Sequence, residues 1–146
     1  KHFNIVLTNE LTAINQYFLH SRMFKDWGYK KLGEKEYEDS VDEMKHADKI
    51  IERVLFLDGI PNVQDMHKIM IGEEPVECVN CDFKLEEKAI PELKEAIVHC
   101  EKVSDFVSRN IFREILDSEE EHYDWLETQL ELVQKVGREN WLQSQM

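Results

Sequence analysis

The chain has 146 residues, 42% hydrophobic and 34% charged, which suits one folded soluble domain and excludes a disordered segment. Only 5 Gly and 3 Pro occur, too few turn-formers for a many-stranded sandwich or barrel. Acidic side chains outnumber basic ones 31 to 18, and a net charge of −13 makes nucleic acid and anionic membrane poor partners and cations good ones.

Apolar residues recur at spacings of three and four, and no stretch alternates at period two, so the expected class is all-α. The spacing predicts a first helix from Phe3 to Trp27 that stops at Gly28, and a second from Glu34 to Leu57, closed by Asp58-Gly59-Ile60-Pro61. Asn62 to Pro75 reads as a connection. A third helix is expected from Val76 to Lys102, with Pro91 kinking it, a fourth from Asp105 to Val136, and a short fifth from Glu139 to Gln145. The link Gly28 to Gly33 is short and makes the first two helices antiparallel. The link Asp58 to Pro75 has 18 residues. It can stretch to about 60 Å, more than the roughly 36 Å of a 24-residue helix, so it can run back along the bundle and leave helices two and three parallel. Residues 1–146 are expected to form a single domain. No apolar run approaches the roughly 20 residues that span a bilayer, and the opening Lys1-His2-Phe3 has no Met and reads as a trimmed start. Three cysteines, Cys78, Cys81 and Cys100, fit reduced thiols in the cytoplasm better than a disulfide framework.

The second helix carries two apolar stripes. Glu43, His46, Ala47, Ile50, Val54 and Leu57 share one side; Tyr37, Val41, Met44, Ile51 and Leu55 form another, roughly 120° away. A monomeric bundle needs one such face, so the second is expected to bury against another subunit.

Glu-x-x-His occurs twice, as Glu43 to His46 and Glu119 to His122, and residues three apart share a helix face. Glu10 precedes Glu43 by 33 positions, as Glu86 precedes Glu119. The surroundings repeat too: Glu-x-x-Ala-Ile follows from both Glu10 and Glu86, and an Asp stands two residues beyond both His46 and His122. Two related helical hairpins, joined by the crossover, would bring four carboxylates and two imidazoles together. Bare burial of those charges would cost several kcal/mol each, which a pair of divalent metals would offset. Oxygen and imidazole ligands without thiolate suit iron or manganese.

These residues carry a resemblance. Asn9-Glu10-Leu11, Ala13 to His20, Asp42-Glu43-Met44-Lys45-His46-Ala47-Asp48, Glu119 to His122, Asp124-Trp125-Leu126-Glu127 and the tail Trp141 to Gln145 resemble bacterioferritin, the haem-containing branch of the ferritins, end to end. Against that family the chain is a handful of residues short at its N-terminus. The resemblance implies a ferritin-like four-helix bundle and a shell of 24 subunits built of dimers, which oxidises Fe(II) and stores a ferric mineral. Glu43 and Glu119 would bridge two irons, Glu10 and Glu86 would be terminal carboxylates, and His46 and His122 nitrogen ligands. Met44 would ligate a haem b shared across the dimer interface, with a small ferredoxin supplying electrons for iron release. Whether a second ferritin subunit type joins the shell stays open, as does the choice of oxygen or peroxide.

Some features depart from the family. An inner-wall iron site would use a His and Asp four apart, and here Glu38 precedes Asp42. A tyrosine found in some members is Ile50. Tyr17 and Trp125 stand as candidate electron donors. Cys78 and Cys81 read as packing or surface thiols, Cys100 as core, and His20, His67 and His99 as structural or solvated, without matched carboxylates. A di-iron oxidase or peroxidase-type enzyme without storage, a non-haem ferritin, and a pure interaction bundle are the competing readings.

Overall fold

The computed structural model describes residues 1–146. It contains α1 (His2–Asp26), α2 (Lys30–Phe56), α3 (Pro75–Lys102), α4 (Phe106–Val136) and α5 (Arg138–Ser144), and no strand. Helix α1 packs on α2 and α3, and α4 packs on α2, α3 and the short α5. The expected bundle class and its fifth helix are present.

Two boundaries differ usefully from expectation. Helix α2 starts at Lys30 rather than Glu34, so Gly33 lies inside it. A Cβ there would stand 3.1 Å from the Ser21 carbonyl oxygen, so glycine lets the two backbones meet closely at the turn. Helix α3 starts on Pro75, which needs no N–H partner at that position, and the Glu74 carboxylate caps it by accepting from the N–H groups of Val76 (3.1 Å) and Glu77 (2.7 Å). Pro91 sits within α3 without ending it.

The crossover between α2 and α3 is tied down along α1. The backbone N–H groups of Asn62, His67, Met70 and Gly72 donate in turn to the side chains of Asn4, Thr12, Gln16 and His20, at 3.0 to 3.1 Å. These acceptors are spaced by multiples of four, so they form one polar stripe on α1. The crossover therefore climbs in the direction of α1, and α2 and α3 run parallel, as the length of the link suggested.

Two apolar clusters fill the bundle. One holds Val6, Leu7, Ile50, Val54, Leu93, Phe112 and Ile115; the other holds Phe24, Leu32, Val79, Leu126, Trp141 and Leu142. Each long helix carries buried polar residues between its contributions to the two clusters: Glu10 to His20 on α1, Glu36 to Glu43 on α2, Asp82 and Glu86 on α3, Glu119 and His122 on α4. Apolar packing at both ends encloses this polar band. No helix is long and apolar enough to cross a membrane.

The outer stripe of α2 is open. Tyr37, Met44 and Leu55 are 44%, 57% and 57% exposed, and Phe18 and Leu19 of α1 extend the patch. Leu57 lies just past the helix and is exposed, so it leaves the inner stripe to which its spacing assigned it.

Candidate metal centre

The structure brings Glu10, Glu43, His46, Glu86, Glu119 and His122 together in the polar band. Glu10, Glu43, His46 and Glu119 offer ligand atoms within 4.8 Å of one another, as do Glu43, Glu86, Glu119 and His122. Glu43 and Glu119 belong to both groups. Nδ1 of His46 lies 3.2 Å from Glu119, 3.4 Å from Glu10 and 3.6 Å from Glu43, and Nδ1 of His122 lies 3.3 Å from Glu86. The carboxylates are almost fully buried, and His46 keeps a small exposed edge.

The electrostatics of the cluster favour positive charge. Burial pushes the carboxyls of Glu86 and Glu119 up, and a neighbouring negative charge, Glu119 on Glu86 and Glu43 on Glu119, pushes the same way; Glu119 reaches about 7. Burial opposes charge on the His46 ring, yet contact with Glu119 and Glu43 outweighs it and lifts that imidazole to about 10. His122 is raised likewise, against burial, by Asp39 and Glu86. Protons on the histidines and carboxyls here take the place that cations can fill. Even so, Glu10 Oε2, His46 Nδ1, Glu86 Oε2 and Glu119 Oε1 are buried without a hydrogen-bond partner. Four such ligand atoms in one buried pocket are what a metal pair would satisfy, so the residues fit the group.

Two aromatic rings flank the cluster. Tyr17 is fully buried, donates its hydroxyl to Glu86 and meets the His122 ring edge-on at 5.0 Å. Trp125 stacks on the His122 ring, with centroids 6.4 Å apart, under the Lys35 ammonium.

Several residues went unnoticed in the sequence. Asp39 reaches His122 Nε2 at 2.9 Å, with Lys35 on its other oxygen at 2.9 Å. Glu36 and Asp82 are fully buried beside it. His20, expected to have no carboxylate, pairs with Asp82 at 2.9 Å; the partner comes from α3 and no local spacing announces it. The available signal was Glu36, Asp39, Glu43 and His46, spaced by three and four, which continues the inner stripe of α2 toward its start. Glu38 and Asp42 both lie on the exposed side of α2, and Ile50 is core. Cys78 is buried and Cys81 half-buried, with both thiols pushed up by burial and then by Asp82, and Cys100 packs in the first apolar cluster.

A family profile described as a ferritin-like domain matches residues 1–136. The bacterioferritin of Brucella melitensis is 46% identical over 138 residues, covering 94% of this chain and 86% of its own. That of Rhodobacter capsulatus is 47% identical over 134 residues, covering 92% and 83%. This chain belongs to the bacterioferritin family. A bacterial ferritin of Synechocystis is also similar, at 44% identity over 142 residues, 97% of this chain and 91% of its own. Membership agrees with the bundle, its crossover and the buried carboxylate band described above.

Proposed function

We propose that this bacterioferritin-family chain stores iron, and that its buried cluster is a ferroxidase site for which Fe(II) is the substrate. Two Fe(II) ions bind side by side. Glu43 and Glu119, common to both groups of ligand atoms, bridge them; Glu10 and Glu86 complete the carboxylate shell, and His46 and His122 each offer Nδ1. The four buried, unpartnered ligand atoms of Glu10, His46, Glu86 and Glu119 are the observation that carries this reading. Oxygen or peroxide takes one electron from each iron, and hard carboxylate ligands favour the ferric product. Tyr17 and Trp125, both beside His122, are placed to lend electrons to the site. The net charge of −13 draws cations to the chain.

The ferric product is deposited inside a shell of 24 subunits built of dimers, with the open stripe of α2 as the dimer face. Met44 stands exposed on that stripe, where its thioether would be available to hold a group at the dimer face. Two symmetry-related Met44 side chains would hold one haem b, which would supply one-electron redox chemistry for releasing iron, with a small ferredoxin as donor. The cytoplasm, where its three thiols stay reduced, is the compartment of this reading.

An aerobic Fe(II) titration of metal-stripped protein, followed by near-ultraviolet absorbance, tests it. A fast phase ending close to two irons per chain, then slow growth well past that ratio, is expected. A fast phase without later growth keeps the site and removes storage. Oxidation no faster than in buffer overturns the ferroxidase reading.

A further inference from the structure

Next to the paired cluster lies a second buried group of carboxylates that the iron pair does not use. Glu36 on α2 is fully buried, and neither of its side-chain oxygens has a hydrogen-bond partner. Asp82 on α3 is also fully buried. Its Oδ1 accepts from Gln16 Nε2 and His20 Nδ1, each at 2.9 Å, while its Oδ2 has no partner. His20 Nε2 accepts the Gly72 N–H at 3.1 Å, which fixes the ring proton on Nδ1. His20 therefore holds Asp82 in place as a neutral donor. His20, Glu36 and Asp82 offer atoms within 4.8 Å of one another, and Glu36 stands as near to Asp39 and His122. No Lys or Arg pairs with Glu36 or Asp82.

Three buried oxygens without a hydrogen-bond partner thus belong to these two neighbouring carboxylates, both of Glu36 and one of Asp82. A proton shared between the two carboxylates satisfies one oxygen on each and leaves the other Glu36 oxygen bare. A divalent cation between the two carboxylates offers more coordination to these oxygens than a single proton can. Gln16 and His20 grip Asp82 from behind, the arrangement that orients a metal-binding carboxylate from its outer side.

We propose that Glu36 and Asp82 bind a third divalent cation, beside the paired site and linked to it through Asp39 and His122. An all-oxygen ligand set without thiolate selects a hard ion such as Fe(II) or Mn(II). The use of this position as a station for iron on its way to or from the pair rests on the ferroxidase reading; the binding itself does not.

Mn(II), added without oxygen to the metal-stripped assembly, is the probe. Anomalous diffraction from Mn(II)-soaked crystals of the unaltered protein is expected to show a peak between Glu36 and Asp82, apart from those at the pair. Calorimetric titration is expected to count one Mn(II) fewer per chain in Glu36→Gln and in Asp82→Asn. A map with no peak between these two side chains, with an unchanged count in Glu36→Gln, leaves only a shared proton and overturns the proposal. Glu119→Ala separates the two sites. If it loses the paired ions while Glu36→Gln loses nothing, the third site fails alone. If Glu36→Gln loses one ion while Glu119→Ala keeps all, the paired reading fails and the third site stands.

Discussion

Nε2 of His122 lies 2.9 Å from Oδ2 of Asp39, on the side of the ring away from Glu86. The contact turns Nδ1 toward the carboxylate cluster, and Lys35 holds Asp39 in place from its other oxygen. Outer partners of this kind set ring orientation and raise ligand basicity. Replacing Asp39 with Ala is expected to weaken metal binding by roughly 10–100-fold with the helices intact. Mn(II) calorimetry with a circular-dichroism control checks it, and unchanged affinity would remove Asp39 from the support of the site.

Metal binding should also be legible in stability. An ion that binds only the folded chain stabilises it by about 2.7 kcal/mol at one hundred times its dissociation constant. Scanning calorimetry of the metal-stripped protein with and without Mn(II) is expected to show a clear rise in melting temperature. Glu119 offers atoms to both halves of the cluster, so Glu119→Ala should abolish most of that rise. An equal rise in the variant would mean that the stabilising ions bind elsewhere.

Helix periodicity and the two Glu-x-x-His segments make the bundle, its parallel second and third helices and the six clustered residues legible from the amino-acid sequence. Each of those signals lies within one helix or repeats between two hairpins. What the sequence hides depends on pairs that no spacing connects. Asp82 meets Gln16 and His20 across α1 and α3, and the crossover hangs on Asn4, Thr12, Gln16 and His20 through its own backbone N–H groups. Backbone donors carry no sequence identity, so the polar stripe on α1 has no visible counterpart. Glu36 and Asp39 are readable in principle, but on an acidic helix they look like solvated charge until burial is known.

Met44 offers a clean separation of functions. Its side chain is 57% exposed and stands on the open face of α2, apart from the buried cluster. Met44→Leu keeps volume and apolar character while removing the thioether. The variant is expected to lose haem absorbance while retaining the fast phase of Fe(II) oxidation. Haem absorbance at the level of the unaltered protein would mean that Met44 is simply a packing residue.

Gly72 is where the crossover presses hardest on α3. A Cβ at this position would collide with the backbone nitrogen of Cys78 and stand 2.7 Å from its Cα and 2.8 Å from its Sγ. Backbone cannot swing aside as a long side chain can, so Gly72→Ala must push the crossover off α3 and disturb the N–H that Gly72 gives to His20. A loss of about 1–3 kcal/mol is expected, seen as a lower melting temperature. A neutral result would show that the crossover is free to move at this point.

Asp105 predicts a specific response to acid. It caps α4 through the Ser108 N–H at 3.1 Å and pairs with Arg53 at 2.9 Å. Burial alone would raise its carboxyl, but the bonds from Ser108 and Arg53 outweigh that and hold it below its ordinary 3.8. A carboxyl depressed by folding contributes stability that is fully present above the unfolded value and fades as pH falls through the folded one. Asp105→Asn keeps a capping oxygen, loses the charge and does not titrate. The variant should therefore melt below the unaltered protein near neutral pH, and the gap should close as pH drops below about 4. A gap that persists unchanged into acid would mean that shape at this cap, rather than its charge, is what stabilises the start of α4.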